Sequence, residues 1–199
     1  MNIQAPLSEK IIKFNNGLCL DTKLPDGIKA MNPFKDEHSK LINKLTNIFY
    51  KKYYNDNNSR KLILGINPGR LGAGLTGIPF TDTKRLTQDC GIKTDEISSH
   101  EPSSVFVYEV IREYGGPELF YKDFFINSIC PLGFIQEKTK GKWVNYNYYD
   151  RKDLEQSVTQ FILQTLKQQI AMGLETEKVW IMGSGKNFKF IKALNKEYK

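Results

Sequence analysis

The segment KLILGINPGRLGAGLTGIPF, residues 61–80, joins a short apolar run to a stretch rich in glycine and proline. Residues 61–66 are apolar and bounded by turn-forming residues, which is typical of a buried strand. Residues 67–80 contain repeated glycines and prolines, so the sequence predicts no helix there. Long irregular segments in a compact domain are more often functional than merely connecting, and the amides of such a loop can approach a planar or anionic ligand closely.

The rest of the chain alternates apolar runs with amphipathic segments. Further strands are predicted at 123–129 and 179–182, and helices at 37–53, 83–90, 103–114, 154–170 and 186–196. No hairpin is predicted, and both the stretch before residue 37 and the polar, tyrosine-rich segment 136–149 are expected to be irregular. Strands separated by helices indicate a short parallel sheet covered on both faces, so the predicted fold is α/β, a three-layer α/β/α sandwich.

Ligands of such sheets bind beyond the carboxyl ends of the strands. Three segments begin at strand ends, at Asn67, Ser128 and Gly183. We therefore expect these three segments to converge on one site.

The composition limits the class of protein. The chain has 199 residues, of which 40% are hydrophobic, so a single folded domain over residues 1–199 is predicted. No apolar run is long enough to span a membrane and the N-terminus lacks a signal peptide pattern, so an intracellular, cytoplasmic location is expected. Cys19, Cys90 and Cys130 are widely separated and only two histidines accompany them, which disfavours a disulfide framework and a metal site.

The charge balance points to a polyanionic partner. The formal net charge is +7 and the sequence pI is about 9.2. Clustered cations bind phosphates with release of counterions, so nucleic acid is a candidate ligand, although a solvated basic surface explains the same excess.

Two further motifs follow predicted strands. In NSICPLGF (127–134), Asn127 and Ser128 leave a buried strand towards the expected site, and Cys130 is interpreted as a packing residue because no cation nearby in sequence would lower its pKa. MGSGKN (182–187) lacks the spacing of a phosphate loop, and its glycines are interpreted as allowing a helix to pack closely on the sheet, with phosphate binding a lesser alternative.

The motifs GINPG (65–69), TGIPF (76–80), FFINSICPLGF (124–134) and VWIMGSG (179–185), in this order, carry a resemblance. Together they resemble the single-strand-selective monofunctional branch of the uracil-DNA glycosylase superfamily, over roughly residues 60–195. Mismatch-specific and thymine-DNA glycosylases share GINPG, and the added Cys-Pro-Leu segment favours the single-strand-selective branch.

The resemblance implies hydrolysis of an N-glycosidic bond in DNA that contains a deaminated base, by a monomer that uses neither metal nor cofactor. It implies that Asn67 positions the attacking water and that Phe80 stacks on the extruded base. The other expected base-binding residues are Gly65, Ile66, Pro68, Gly69, Asn127 and Ser128. Contacts to the DNA backbone are expected from Arg70, Lys138, Lys140, Lys142 and Lys186.

The sequence departs from the family pattern in two places. Where the family commonly has His-Asn before Leu-Cys-Pro, this chain has Asn127-Ser128, so Ser128 takes the place of the base-reading asparagine. A hydroxyl makes a single hydrogen bond where an amide makes a pair, which would admit deaminated purines such as xanthine; alternatively, Asn127 takes that role. The family also has a further strand and a His-Pro motif beyond VWIMGSG, and the sequence ends at Lys199 before either, so the expected domain lacks both.

Two alternative functions remain open at this level. A DNA-binding module with the same fold and impaired catalysis would keep the basic groove without turnover. An unrelated small α/β enzyme acting on a nucleotide or sugar phosphate would explain the glycine-rich loop alone.

Overall fold

The fold is that of a computed structural model, which describes residues 4–183 and 185–197. The helices of this part of the chain are α1 (Leu7–Gly17), α2 (Ser39–Tyr53), α3 (Ala73–Thr76), α4 (Thr83–Gln88), α5 (Pro102–Glu113), α6 (Pro117–Asp123), α7 (Lys152–Ile170) and α8 (Lys186–Glu197). The strands are β1 (Ile28–Met31), β2 (Lys61–Gly65), β3 (Phe124–Ser128), β4 (Gly133–Thr139), β5 (Lys142–Tyr146) and β6 (Glu175–Ile181).

The central sheet is parallel and has the order β3-β2-β6. Leu62 of β2 pairs with Phe125 of β3 on one side and with Val179 of β6 on the other. Consecutive residues of β3, from 125 to 128, are all buried, which requires that both faces of the strand be covered because successive side chains point to opposite faces. The predicted α/β class and short parallel sheet are confirmed.

A second sheet, antiparallel with the order β1-β4-β5, was not predicted. The expectation of an irregular segment over 136–149 without a hairpin is therefore wrong. β4 and β5 form a hairpin in which Thr139 pairs with Lys142, and the turn between them places Gly141 at φ 81°. Because the far half of β4 is exposed, its side chains are polar on both faces, and the period-2 pattern of a half-buried strand is absent.

The N-terminal stretch also differs from its prediction. Leu7, Ile11, Phe14 and Leu18 are buried, and this spacing places them on one face along and just beyond α1, which packs on α2. The expectation of irregular structure is wrong here, although the helical spacing was present in the sequence. The short helix α3 likewise contradicts the prediction that 67–80 contains no helix; it ends at Gly77, whose φ of 70° is readily adopted by glycine.

The start of β2 is held by a buried arginine. Arg60 has no exposed surface, and its guanidinium forms an ion pair with Asp56 at 2.8 Å and donates to the carbonyl of Tyr121 at 2.8 Å. A buried charge is tolerated only when it is paired and hydrogen-bonded, so these contacts define where the strand enters the core. Among the helices of the described residues, none is long and apolar enough to cross a membrane.

Candidate active site

A cavity of about 270 Å³ lies beyond the carboxyl ends of the parallel strands. Its lining includes residues that follow β2 and β6 and the last residue of β3, Ser128, so the predicted convergence of three segments is confirmed. The lining consists of Ile66, Asn67, Pro68, Gly69, Ala73, Pro79, Phe80, Glu101, Ser103, Ser128, Asn147, Met182 and Gly183. This volume lies just below the range of pockets for drug-sized ligands, about 300–1,000 Å³, and suits a single small ring system.

Asn67 is the first residue of the glycine-rich loop, and the two ends of its amide are hydrogen-bonded to the last residue of β5 and to the residue two positions beyond it. Its Nδ2 donates to the carbonyl oxygens of Tyr146 and Pro68, each at 3.3 Å, and its Oδ1 accepts from the backbone N–H of Tyr148 at 3.2 Å. Both amide hydrogens are thus engaged, while Oδ1 keeps a second lone pair. The amide is oriented so that its free acceptor site is available to a water molecule or a substrate.

Phe80 has a backbone conformation that L-residues rarely adopt. Its φ is 55°, and it is the one non-glycine residue with positive φ in the described part of the chain. The ring lies against the backbone of Gly65, where a β-carbon would collide with its Cζ and Cε2 atoms. Such strain costs on the order of 1–3 kcal/mol and is concentrated at functional sites. Gly65 does not line the cavity; it leaves room for the Phe80 ring, which does.

The two polar residues at the end of β3 are placed differently. Ser128 lines the cavity, and its backbone carbonyl accepts from Gln169 Nε2 at 3.3 Å. The Oδ1 atom of Asn127 accepts from the N–H of Ser128 at 2.8 Å, and Asn127 lines a separate small cavity beside Asn15 and Tyr50. Because adjacent residues of a strand face opposite sides, Ser128 reaches the site while Asn127 points away from it.

A buried chain of hydrogen bonds supports the loop that holds Asn67. The hydroxyl of Tyr148 donates to Asn187 Oδ1 at 2.8 Å, and Asn187 Nδ2 donates to the carbonyl of Met182 at 2.8 Å. Both Tyr148 and Asn187 are buried. The first turn of α8 is therefore connected to the site, a role that the sequence motif MGSGKN did not reveal. Ser184 of that motif lies outside the described residues.

Glu101, which the sequence reading did not single out, also lines the cavity. A β-carbon added at Gly69 would lie 2.5 Å from Glu101 Oε1, and one at Gly72 would collide with the same carboxyl group. Burial raises the pKa of Glu101 to about 7, an effect that a hydrogen bond from Ser103 opposes and the charge of Asp82 reinforces. The group therefore exchanges its proton near neutral pH.

Asp82 stands behind Glu101 as a buried carboxylate. Burial alone would raise the pKa of Asp82, but the N–H groups of Glu101 and Arg85, each 2.9 Å from its oxygens, and the Ser104 hydroxyl at 2.7 Å hold it below the usual value. His100 and Arg85 also lie 3.4 Å from this carboxylate. Asp82 is thus the charged member of the pair and Glu101 the neutral one in weakly acidic solution.

The cations expected to contact DNA are all exposed, and they belong to three separate segments of the chain. The N–H of Arg70 donates to Asn145 Oδ1 at 3.0 Å, which ties the glycine-rich loop to β5, and Lys186 Nζ lies 5.8 Å from the centre of the Tyr149 ring. The lysines of the outer hairpin are Lys138, Lys140 and Lys142. Lys140 is five residues from Asn145, or roughly 17 Å along an extended strand.

Cys130 is fully buried, and burial raises its pKa to about 12, which confirms its interpretation as a packing residue. Within residues 4–183 and 185–197, no group of three or more His, Cys, Asp or Glu side chains is arranged to bind a metal ion.

With this geometry in view, comparison with known proteins identifies the class. A sequence profile described as the uracil DNA glycosylase superfamily matches residues 51–195, which is most of the chain. The protein belongs to the uracil DNA glycosylase superfamily, and the fold and resemblance predicted from its motifs are confirmed.

Among solved structures, the chain is similar to wild-type SMUG2 from Pedobacter heparinus. The two are 49% identical and superpose with a TM-score of 0.94, over 98% of this chain and 83% of that one. Comparison with curated proteins gives no match.

Proposed function

We propose that this protein excises uracil or another deaminated base from DNA by hydrolysis of the N-glycosidic bond. The observation that carries the proposal is the oriented amide of Asn67 in the wall of a cavity of about 270 Å³ that Phe80 and Ser128 also line. Membership of the superfamily and the 49% identity to SMUG2 support the same reaction.

In the proposed reaction Asn67 binds the nucleophile. The lone pair of Oδ1 that Tyr148 leaves free accepts a hydrogen bond from a water molecule and directs its oxygen towards the sugar. That oxygen bonds to the anomeric carbon while the bond from this carbon to the base breaks. The electron pair leaves with the base, and a proton from the water neutralises the base anion. An amide suits this task because it orients a water without titrating.

The remaining lining residues hold the extruded base. We assign Phe80 the role of stacking on one face of the base. Its strained backbone conformation is consistent with this role, because such strain is concentrated at functional sites. Ser128 reads one edge through a single hydroxyl, which donates or accepts and so tolerates more than one base. Ile66 and the backbone of Pro68 and Gly69 complete the wall.

DNA binding is assigned to the exposed cations. Arg70 directly follows Gly69, and Lys186 lies three residues after Gly183; both glycines line the cavity. The hairpin lysines add exposed positive charge on β4, β5 and the turn between them. A monomer suffices for this arrangement, since the lining residues named above come from one chain.

The test is a direct assay on single- and double-stranded oligonucleotides that contain one uracil, hypoxanthine or xanthine. We expect alkali-labile abasic sites at the modified position and none at the parent base. Binding of the oligonucleotides without abasic sites would instead identify a DNA-binding module with impaired catalysis. Failure to bind any oligonucleotide would favour an enzyme acting on a nucleotide or sugar phosphate.

A further inference from the structure

Glu101 is an acidic side chain in the wall of a pocket that we assign to a nucleic acid base. Its carboxyl group packs against the backbone of Gly69 and Gly72, where a β-carbon would collide with it, and Glu101 is one of the residues that line the cavity. Among the described residues no ion pair involves Glu101, and the side chains of Arg85 and His100 contact Asp82 instead. A hydrogen-bonding group in a pocket wall without a charged partner is available to a ligand.

The protonation state of this group decides what it can do. Burial and the charge of Asp82 favour the neutral form up to about pH 7. A neutral carboxyl group has one O–H donor, whereas an ionised one only accepts. The charged group that acts on it is Asp82, the residue before α4, and Arg85 of α4 and His100 of the segment before α5 contact that carboxylate.

Deamination changes one feature common to pyrimidines and purines. It replaces an amino group, which donates hydrogen bonds, with a carbonyl oxygen, which accepts them. A donor in the pocket wall therefore matches O4 of uracil and O6 of hypoxanthine, and finds no acceptor at the same place on cytosine or adenine. In xanthine the new carbonyl is at C2, and the carbonyl at C6 is shared with guanine, so this contact does not separate that pair. Discrimination by a single buried polar contact of this kind is strong, because the mismatched base leaves the group unpaired.

We propose that Glu101, from the cavity wall beside Gly69, is a specificity-determining residue whose carboxyl group donates a hydrogen bond to the carbonyl oxygen created by deamination. This inference rests on the proposed function, since it requires an extruded base in the cavity. It extends that function by adding a second contact to the base, besides that of Ser128. In this contact Glu101 donates a hydrogen bond, whereas a carboxylate that acts as a general base would accept a proton. Ionisation of Glu101 would remove the donor and bring a negative charge close to the departing base anion.

The experiment compares the wild type with Glu101→Gln over pH 5.5–8.5, using single-turnover excision from a uracil-containing oligonucleotide. The amide of glutamine keeps a donor at every pH. We expect wild-type excision to fall by on the order of tenfold between pH 7 and 8.5, and Glu101→Gln to stay level over that range. Glu109→Gln on the exposed face of α5 is the matched control and should follow the wild type, and His100→Gln should also keep the wild-type fall.

A second readout does not depend on turnover. Binding of oligonucleotides that carry 2′-fluorinated, hydrolysis-resistant deoxyuridine or deoxycytidine is measured at pH 6 and 8.5. We expect the wild-type preference for the uracil analogue to decrease several-fold at pH 8.5, and the preference of Glu101→Gln to persist. Excision that rises with pH and is lost in Glu101→Gln would overturn the proposal in favour of a general base. A preference independent of pH in the wild type would overturn it too, whereas absence of excision with a pH-dependent preference would count against the proposed reaction alone.

Discussion

The two sheets of this protein differ in solvent exposure and contribute differently to the site. The parallel sheet β3-β2-β6 is enclosed where β3 ends, and Ser128 stands there with its side chain in the cavity. The antiparallel sheet β1-β4-β5 is buried near Gly133 and Phe134 and becomes fully exposed towards the hairpin turn. Packing therefore fixes the position of Ser128 at the end of the parallel sheet. The outer part of the hairpin carries charged side chains on an exposed surface, where packing does not fix their positions.

Asn67 links the two regions. It follows the end of β2 in the chain, but its side-chain amide is oriented by the last residue of β5, Tyr146, and by Tyr148 just beyond it. The ends of the parallel strands therefore form the pocket, and the end of β5 in the antiparallel sheet helps to orient the amide of Asn67. Substitutions at the pocket should alter the rate of chemistry, and substitutions on the outer hairpin should alter the affinity for DNA.

The largest effect is expected for Asn67→Ala. Loss of the water-binding acceptor should lower single-turnover excision by roughly 10²-fold or more, on the order of 3 kcal/mol of transition-state stabilisation, with little change in DNA affinity. Asn67→Asp should also be impaired, because a carboxylate in this position would face the carbonyl oxygen of Tyr146. Wild-type rates in Asn67→Ala would remove this residue from the mechanism.

A smaller effect is expected for Phe80→Ala. Base stacking on an aromatic ring is worth about 1–3 kcal/mol, so kcat/KM should decrease by roughly 10- to 100-fold. Phe80→Tyr keeps the ring and should retain most of the activity. Measurement of thermal unfolding for both variants separates stacking from packing, since the ring also covers Gly65. Equal activity of the alanine and tyrosine variants would show that the ring does not contact the base.

The smallest effect on chemistry is expected on the outer hairpin. Replacement of Lys138, Lys140 and Lys142 by alanine should leave the single-turnover rate unchanged and reduce the log–log salt slope of single-stranded DNA binding by about 2, at roughly 0.7 per lost contact. Because these side chains are exposed, stability should change by less than about 0.5 kcal/mol per substitution. The matched control replaces three exposed lysines of α2, Lys40, Lys44 and Lys51. An unchanged slope in the hairpin variant, or an equal decrease in the control, would exclude specific phosphate contacts by the hairpin.

The parts of the fold that could be predicted are those with a local signature. Residues 61–66 and 123–129 show the short apolar runs of buried strands, and the helix predicted over 154–170 has its apolar residues at helical spacing; all three lie within two residues of the observed elements. The hairpin was missed because its exposed half carries no apolar alternation. The helix α1 was missed although Leu7, Ile11, Phe14 and Leu18 had the required spacing.

The site residues likewise fall into those that the sequence motifs placed correctly and those that they did not. The motifs placed Asn67, Phe80 and Ser128 together because each follows a strand end or the glycine-rich loop, and parallel strands bring such positions to one edge. Gly65 and Asn127 belong to the same motifs but do not line the cavity, because one lies beneath the Phe80 ring and the other points to the opposite face of β3.

The sequence alone determined the α/β class, the three parallel strands, the family and the edge of the sheet that carries the pocket. These follow from hydrophobic period, turn-forming residues and motifs, each of which is a property of a few neighbouring residues. Only the tertiary structure decided that the backbone around Tyr146 and Tyr148 orients Asn67, across 79 and 81 residues of chain, and that Glu101 fills the wall beside Gly69. Such contacts arise when separate elements pack into one core, and the free energy that selects them is a sum over many residues that no local pattern contains.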